Sequence, residues 1–180
     1  MMVKKIVLAV VGVLVVAVAV VLALAATQPD TFRVQRAIAI KAPPEKVYPL
    51  LSDLRRSVEW SPYEKKDPDM KRTYRGAPSG KGAIYEWDGD SNVGAGRIEI
   101  ADVSPPSRVV LNLEMIRPFM AHNVVEYTLE PKEGATNVTW SMHGPMPFVS
   151  KVMCLFFDMD KMVGNDFETG LSNLKTLAER

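Results

Sequence analysis

Residues 148–178 read FVSKVMCLFFDMDKMVGNDFETGLSNLKTLA, and apolar side chains recur in this stretch with the period of an α-helix. On a helical wheel, one side of the stretch carries Val149, Val152, Phe156, Val163, Phe167, Leu171 and Leu174. Asp160 falls in the middle of that apolar side. The pattern predicts one long C-terminal helix. Because an unpaired carboxylate is costly to bury, Asp160 needs water or a cation beside it.

Length and composition favour one globular domain with a short appendage. The chain has 180 residues, of which 47% are hydrophobic and 24% are charged. Its 22 basic and 21 acidic residues leave a formal net charge of +1, so we expect no nucleic-acid partner. Cys154 is the only cysteine, which excludes an intramolecular disulfide and a thiol-rich metal site. We expect neither a cofactor nor a metal ion.

The N-terminal segment predicts a membrane anchor. Lys4 and Lys5 precede a stretch from Ile6 to Ala26 that has no polar side chain, and about 20 such residues span a bilayer as a helix. A cleaved signal peptide is the alternative, because Ala23-Leu24-Ala25 resembles a cleavage site. The stretch is longer than the usual apolar core of a signal peptide, which favours an uncleaved anchor. Basic residues before the span place the domain on the periplasmic or extracytoplasmic side.

The remainder of the chain divides into a linker over 27–31 and one domain over 32–180. A helical section with an apolar face begins at Ala42-Pro43-Pro44-Glu45, since proline suits a first turn. Alternation of apolar and polar residues and intervening turn signals predict strands at 32–40, 70–75, 82–88, 93–103, 107–115, 121–130 and 136–143. Their short connections favour an antiparallel meander. A sheet of about seven strands that curls around one helix buries a face of each and can leave a cavity between them.

Period-two alternation predicts which strand residues face the helix. The inward candidates are Tyr85, Trp87, Val109, Leu111, Leu113, Met115, Asn123, Val125, Tyr127, Leu129, Val138, Trp140 and Met142. Several are aromatic residues with a polar tip or methionines, as in adaptable binding cavities. The same pattern also fits an ordinary filled core. Arg36 is in phase with the apolar residues of the first strand and is a candidate partner of Asp160 in a buried ion pair.

Several segments together resemble a known superfamily. They are APPEKVY at 42–48, EWSPYE at 59–64, YEWDG at 85–89, GAGR at 94–97, PFMAHN at 118–123, VTWSM at 138–142 and DMDKMVG at 158–164 with DFE at 166–168. The stretch from about 31 to 180 resembles bacterial, membrane-anchored members of the SRPBCC superfamily, the START-like, polyketide cyclase/dehydrase and lipid-transport proteins. The resemblance implies an α+β helix-grip fold of the START/Bet v 1-like type, with a deep cavity between sheet and C-terminal helix.

The resemblance implies binding or transport of a hydrophobic, lipid-like small molecule in that cavity. The residues expected to contact the ligand are Trp60, Tyr63, Tyr85, Trp87, Met115, Asn123, Tyr127, Trp140, Met142, Met153, Phe156, Met159, Asp160, Val163 and Phe167. Within this set, Trp60 and Tyr63 are expected at the cavity mouth, because they lie in a loop-like segment. The partners are therefore a small apolar ligand and the membrane, and the oligomeric state stays open.

The sequence favours a binding protein and is compatible with two other functions. The first is a cyclase- or dehydratase-like enzyme in which Asp160, with its pKa raised by burial, acts as general acid or base. Tyr85, Tyr127 or His143 would assist it. The second is an interaction domain with a filled core.

His122 and His143 are the only histidines, and no cysteine or carboxylate cluster accompanies them at metal-ligand spacing.

Overall fold

The computed structural model describes residues 2–180, which form two compact units. The anchor unit comprises the chain up to Phe32 together with residues 145–159, and the sheet unit comprises residues 33–144 and 160–180. The elements along the chain are α1 (Met2–Ala26), β1 (Thr31–Ile40), α2 (Pro44–Ser52), a 3-10 turn (Leu54–Arg56), α3 (Ser57–Trp60), α4 (Tyr63–Lys66), β2 (Lys71–Gly76), β3 (Ala83–Asp88), β4 (Ala95–Ser104), β5 (Arg108–Arg117), β6 (Ala121–Lys132), β7 (Ala135–Pro145), α5 (Phe148–Cys154) and α6 (Met159–Ala178).

The seven strands form one curved sheet, as the sequence predicts. Strands β2 to β7 follow one another as an antiparallel meander, and β1 lies beside β7 at the edge. The tight connection between β6 and β7 uses Glu133 and Gly134, both with positive φ, which suits a hairpin turn. The predicted α+β helix-grip architecture is therefore confirmed.

Period-two alternation identifies the inner face of the sheet correctly. Val34 and Ile40 of β1, Leu129 of β6 and Val138 of β7 are almost fully buried. Arg36 is only partly exposed and shares the inner phase of β1, as predicted. These side chains form the core on which α6 packs.

The prediction of one continuous helix over 148–178 is wrong. Helix α5 ends at Cys154 and α6 begins at Met159, and the amides of Phe156 and Phe157 donate to the Met153 carbonyl (3.0 Å each) as the last turn of α5 closes. The segment between the helices contains neither glycine nor proline. The apolar periodicity therefore continues across the break, and no glycine or proline signals it. Asp158 precedes α6 directly, a position that favours aspartate.

The break explains why a carboxylate interrupts the apolar side of the wheel. Asp160 lies in the first turn of α6, where an acidic residue interacts favourably with the partial positive charge of the helix N-terminus. Its carboxylate is 61% exposed, so it carries no burial cost.

The C-terminal part of α6 packs closely on the sheet. Phe167, Leu171 and Leu174 are buried. Gly170 permits the approach, because a Cβ at this position would lie 2.7 Å from the Trp140 ring. The Nδ2 of Asn173 also donates to the Trp60 carbonyl at 3.0 Å, which fixes α3 against α6.

Candidate functional site

Four aromatic side chains meet between the sheet and α6, and we call them the aromatic cluster: Trp60, Tyr127, Trp140 and Phe167. Each is less than a tenth exposed. Phe167 stacks on Trp140 with ring centroids 4.1 Å apart and an interplanar angle of 11°. The Trp60 and Tyr127 rings meet Trp140 at 5.6 and 5.3 Å. The cluster therefore joins α3, β6, β7 and α6 around Trp140.

The indole N–H of Trp140 is the unusual feature of this cluster. Its Nε1 is buried, and among residues 2–180 it has no hydrogen-bond partner. The Nε1 of Trp60, by contrast, donates to the Leu50 carbonyl at 2.9 Å. An indole N–H can only donate, and a buried donor left unpaired costs about 1–3 kcal/mol. Trp140 therefore offers an unused donor to an acceptor atom.

The phenols of Tyr127, which contacts Trp140, and of the nearby Tyr63 are neutral. Burial, and then the nearby Tyr63, raise the pKa of Tyr127 well above its ordinary value. Burial, and then the Asp166 carboxylate, likewise raise the pKa of Tyr63. Both phenols stay protonated at neutral pH, so the Tyr127 and Tyr63 side chains themselves add no charge.

A second group of polar side chains surrounds Glu64, and we call it the Glu64 cluster: Glu64, Arg72, Tyr74 and Tyr85. The Glu64 carboxylate is 4% exposed. It accepts from the Tyr85 hydroxyl at 2.7 Å and from Nε of Arg72 at 2.7 Å. The Arg72 guanidinium also donates to the carbonyls of Pro68 and Met70.

The electrostatics of the Glu64 cluster favour a fixed charge pair. Burial, and then the Glu64 carboxylate, raise the pKa of Tyr85, so its phenol remains a donor. The hydrogen bond to Glu64 raises the pKa of Arg72, which stays charged. Each oxygen of Glu64 has a partner, as a buried carboxylate requires. The cluster thereby ties α4 to β2 and β3.

An aromatic row continues from the Glu64 cluster along the inner face of the sheet. Tyr85 stacks between Tyr74 at 5.0 Å and Trp87 at 5.9 Å. Trp87 lies opposite Gly96, and a Cβ at Gly96 would come within 2.6 Å of its ring. Gly96 in turn pairs with Met115, which is partly buried. The absence of a side chain at Gly96 makes room for the Trp87 indole.

The structure brings several predicted ligand residues together and separates others. Trp60, Tyr127, Trp140 and Phe167 form the aromatic cluster, and Tyr85 and Trp87 lie in the aromatic row that continues from the Glu64 cluster. Met142 is buried on the inner face, and the partly buried residues of the predicted set are Tyr63, Trp87, Met115, Asn123, Met159 and Val163.

Three predicted positions are corrected. Trp60 is 3% exposed, so it does not lie at an open mouth, because its indole is held against the Leu50 carbonyl. Met153 and Phe156 do not point inward: they are 40% and 67% exposed in the anchor unit. The break between α5 and α6 ends the continuous helix face on which the prediction for both residues relied.

Asp160 pairs with Arg36, but the pair is not buried. Nη2 of Arg36 lies 2.9 Å from the Asp160 carboxylate, and its Nε lies 2.7 Å from that of Glu168. Gly164 leaves room for the guanidinium, because a Cβ there would collide with Nη2 of Arg36. The Arg36 hydrogen bond lowers the pKa of Asp160. The prediction of a raised pKa at this carboxylate is therefore wrong.

Sequence reasoning missed Glu64 as a buried site residue. A glutamate in a charged segment normally lies at the surface, and only the Tyr85 and Arg72 contacts show its role. His143 faces away from the neighbouring Trp140 and Met142 along β7, and its Nδ1 is buried with no partner in the described chain. Residues 2–180 contain no group of three His, Cys, Asp or Glu side chains that could hold a metal ion.

Two surface depressions of the sheet unit lie away from the aromatic cluster. One of about 330 Å³ is lined by residues of β1, β6 and β7, including Ala39 and Asn137. The other, of about 270 Å³, lies between β5 and β6 near Asn112 and His122. The space beside Trp140 is occupied by the Phe167 ring.

Comparison with known proteins identifies the relatives of this fold. The sequence model of the family described as polyketide cyclase / dehydrase and lipid transport matches residues 31–179. No curated protein sequence matches the chain significantly.

Solved structures with the same fold come from several sources. Protein CV1439 from Chromobacterium violaceum superposes with a TM-score of 0.59 at 16% identity, covering 85% of this chain and 99% of that one. The ginseng major latex-like protein 151 from Panax ginseng gives 0.59 at 13% identity, covering 84% and 100%. The di-domain ARO/CYC StfQ from the steffimycin biosynthetic pathway gives 0.61 at 10% identity, covering 83% and 51%. At these identities the likeness shows the fold alone.

Proposed function

Because the chain belongs to the polyketide cyclase/dehydrase and lipid transport family, we propose that it binds a hydrophobic, lipid-like small molecule at the aromatic cluster. The observation that carries the proposal is the unused N–H of Trp140, buried among aromatic rings between the sheet and α6. Such a donor is costly unless an acceptor reaches it. A bound molecule would supply that acceptor.

The chemistry around Trp140 specifies the kind of ligand. The neighbouring rings of Phe167 and Trp60 favour an apolar body, and the neutral phenol of Tyr127 adds no charge. The indole N–H calls for one acceptor, such as a carbonyl, ester or carboxyl oxygen. A fatty acyl chain with a carboxyl or ester group combines these properties.

The stack of Phe167 on Trp140 closes the site when no ligand is bound. A ligand would replace this ring contact, with Phe167 turning away to admit the apolar body. Residues on the same inner face, among them Met115 and Met142, would complete the lining, since methionine adapts readily to irregular shapes.

The test is native mass spectrometry of the full chain, purified in detergent, followed by organic extraction. We expect a co-purifying apolar molecule in a fixed ratio to protein. Trp140→Phe keeps an aromatic side chain but removes the pyrrole ring with its N–H, so it should weaken retention at least about 10-fold, the equivalent of one hydrogen bond. Trp87→Phe is the matched control and should retain the molecule, because the Trp87 N–H donates to the Val93 carbonyl instead. Retention unaffected by Trp140→Phe would refute the site.

A cyclase- or dehydratase-like enzyme is the second candidate function. The observation in its favour is the Tyr85 hydroxyl on the Glu64 carboxylate, the buried acid of the sheet unit that sequence reasoning missed. Asp160 is a poor candidate, because it is exposed and its pKa is lowered. Turnover of a bound polyketide that disappears in Glu64→Gln and persists in Asp160→Asn would support the enzyme. Substrate left unchanged by the wild-type chain would favour binding alone.

We also propose that α1 anchors the protein in a membrane with the sheet unit on the extracytoplasmic side. Helix α1 is long and apolar enough to cross a bilayer, and a signal sequence would pass the same test. Lys4 and Lys5 at its start favour a cytoplasmic N-terminus. The intact mass of the mature protein distinguishes an anchor from a cleaved signal, and protease protection in oriented vesicles reports the side.

A further inference from the structure

The anchor unit exposes a set of large apolar side chains on α5 and the residues that follow it. Phe148, Val149, Met153, Phe156 and Phe157 are 40% to 69% exposed. We call this set the α5 apolar surface. Such a concentration of exposed aromatic and aliphatic groups marks a surface that meets another apolar phase.

The position of α5 along α1 indicates which phase that is. Helix α5 packs against α1 within the anchor unit. The fully buried residue of α1 is Ala25, and Val21, one turn earlier, is partly buried. Both lie at the C-terminal end of a 25-residue helix. Such a helix is about 37 Å long, and a bilayer core is about 30 Å thick, so this end reaches the membrane surface.

The charge of α5 is held away from its apolar surface. Nζ of Lys151 lies 2.6 Å from the Asp30 carboxylate, and the Met146 amide donates to the Asp30 carbonyl at 2.7 Å. The Lys151 hydrogen bond lowers the pKa of Asp30, so this carboxylate stays ionised at neutral pH. Asp30 follows α1 by a few residues. These contacts fix α5 beside the end of the span.

We propose that the α5 apolar surface inserts into the lipid interface beside α1, so that the anchor unit holds the membrane by one span and one interfacial helix. The proposal rests on the proposed anchoring role of α1. Lys151 is the only charged residue between Pro145 and Phe157, and it is paired. Insertion therefore depends on apolar area and does not require anionic lipid.

Spin labels on single cysteines test the insertion in the full chain. In a Cys154→Ser background, Val149→Cys and Phe156→Cys place labels on the α5 apolar surface. Val15→Cys places a reference label in the middle of α1, and Glu130→Cys places another on an exposed position of the sheet unit. The protein is reconstituted in phosphatidylcholine vesicles. Collision rates are then measured with oxygen, which concentrates in lipid, and with a water-soluble nickel complex.

We expect the labels at 149 and 156 to show an oxygen-to-nickel collision ratio well above that at 130, unchanged by high salt. A ratio equal to that at 130, with the label at 15 lipid-like, would overturn the insertion and leave the anchor intact. A water-like label at 15 would overturn the anchor itself. Labels at 149 and 156 shielded from both reagents would assign the surface to a protein partner, against the proposal.

Discussion

Helices α5 and α6 carry similar apolar side chains, which are largely exposed at α5 and buried where α6 packs on the sheet. Phe167 of α6 is 2% exposed and stacks on Trp140, whereas Phe156, just beyond α5, is 67% exposed. The two phenylalanines lie on the same side of one helical wheel when the sequence is drawn as a single helix. The four residues from Leu155 to Asp158 separate a helix that packs on a sheet from one that packs beside an apolar span.

The difference shows that an apolar pattern does not by itself determine what packs against the side chains, since the same pattern gives buried residues in α6 and exposed ones at α5. The apolar side of α6 packs on the sheet, and Gly170 lets the helix backbone approach Trp140. For α5 we infer that lipid contacts the apolar side chains. Variants that act on one region and spare the other separate these two cases.

The largest expected effect is on Phe167. Phe167→Ala should lower the free energy of unfolding by about 3–5 kcal/mol, because it removes a buried ring and leaves a cavity beside Trp140. Phe156→Ala should change it by less than about 0.5 kcal/mol, as for an exposed position. Urea unfolding of the full chain in micelles, followed by tryptophan fluorescence, measures both. Equal losses would contradict the assignment of the two rings to different environments.

The Glu64 cluster provides the next test. Glu64→Leu should cost about 2–3 kcal/mol, because it leaves the Tyr85 hydroxyl and the Arg72 Nε without their acceptor. The matched control is Glu86→Leu, which removes the partner of Arg75 across the same two strands. That pair is solvent-exposed and should contribute less than about 1 kcal/mol. Chemical denaturation compares them, and a larger loss in the control would refute a structural role for Glu64.

Close packing of α6 predicts an effect opposite to helix propensity. Alanine normally stabilises a helix by about 1 kcal/mol relative to glycine. Gly170→Ala should nevertheless destabilise the protein by about 1–3 kcal/mol, because the added methyl would lie 2.7 Å from the Trp140 ring. Ser172→Ala, at an exposed position of the same helix, should be neutral or slightly stabilising. Thermal unfolding distinguishes them, and a stabilised Gly170→Ala would mean that α6 is not packed against Trp140.

The tyrosines predict how stability changes at alkaline pH. All five have a raised pKa, chiefly through burial: Tyr48, Tyr63, Tyr74, Tyr85 and Tyr127. Because the folded state holds these protons more tightly, their contribution is complete below pH about 10 and is lost as the pH rises further. Tyrosinate absorbance should therefore appear together with loss of the native circular dichroism. Full ionisation of a chain that remains folded would contradict the burial of Tyr85 and Tyr127.

Much of the sheet was predictable from sequence, for a physical reason. Alternation along a strand is local, so Val138, Trp140 and Leu129 were assigned to the inner face from their spacing alone. The resemblance added the helix-grip arrangement, which the family match and the seven-stranded sheet confirm.

Other features depend on contacts between distant residues and were not predictable. The end of α5 carries no glycine or proline signal, so the periodicity predicts a mid-helix position for Asp160, which in fact lies in the first turn of α6. Burial of Glu64 depends on Tyr85 and Arg72, which lie 21 and 8 residues away in sequence. The unpaired N–H of Trp140 depends on which carbonyls surround it after folding.

The most direct test of ligand binding at the aromatic cluster is an indole ¹H–¹⁵N NMR titration of the full chain in lipid nanodiscs, with oleic acid as the probe. The protein has three tryptophans, and Trp140→Phe and Trp60→Phe assign their signals. We expect the Trp140 signal to shift downfield as its N–H gains an acceptor, while the Trp60 signal, already bonded to the Leu50 carbonyl, moves little. A Trp140 signal that stays in place while the fatty acid binds would contradict the proposed site.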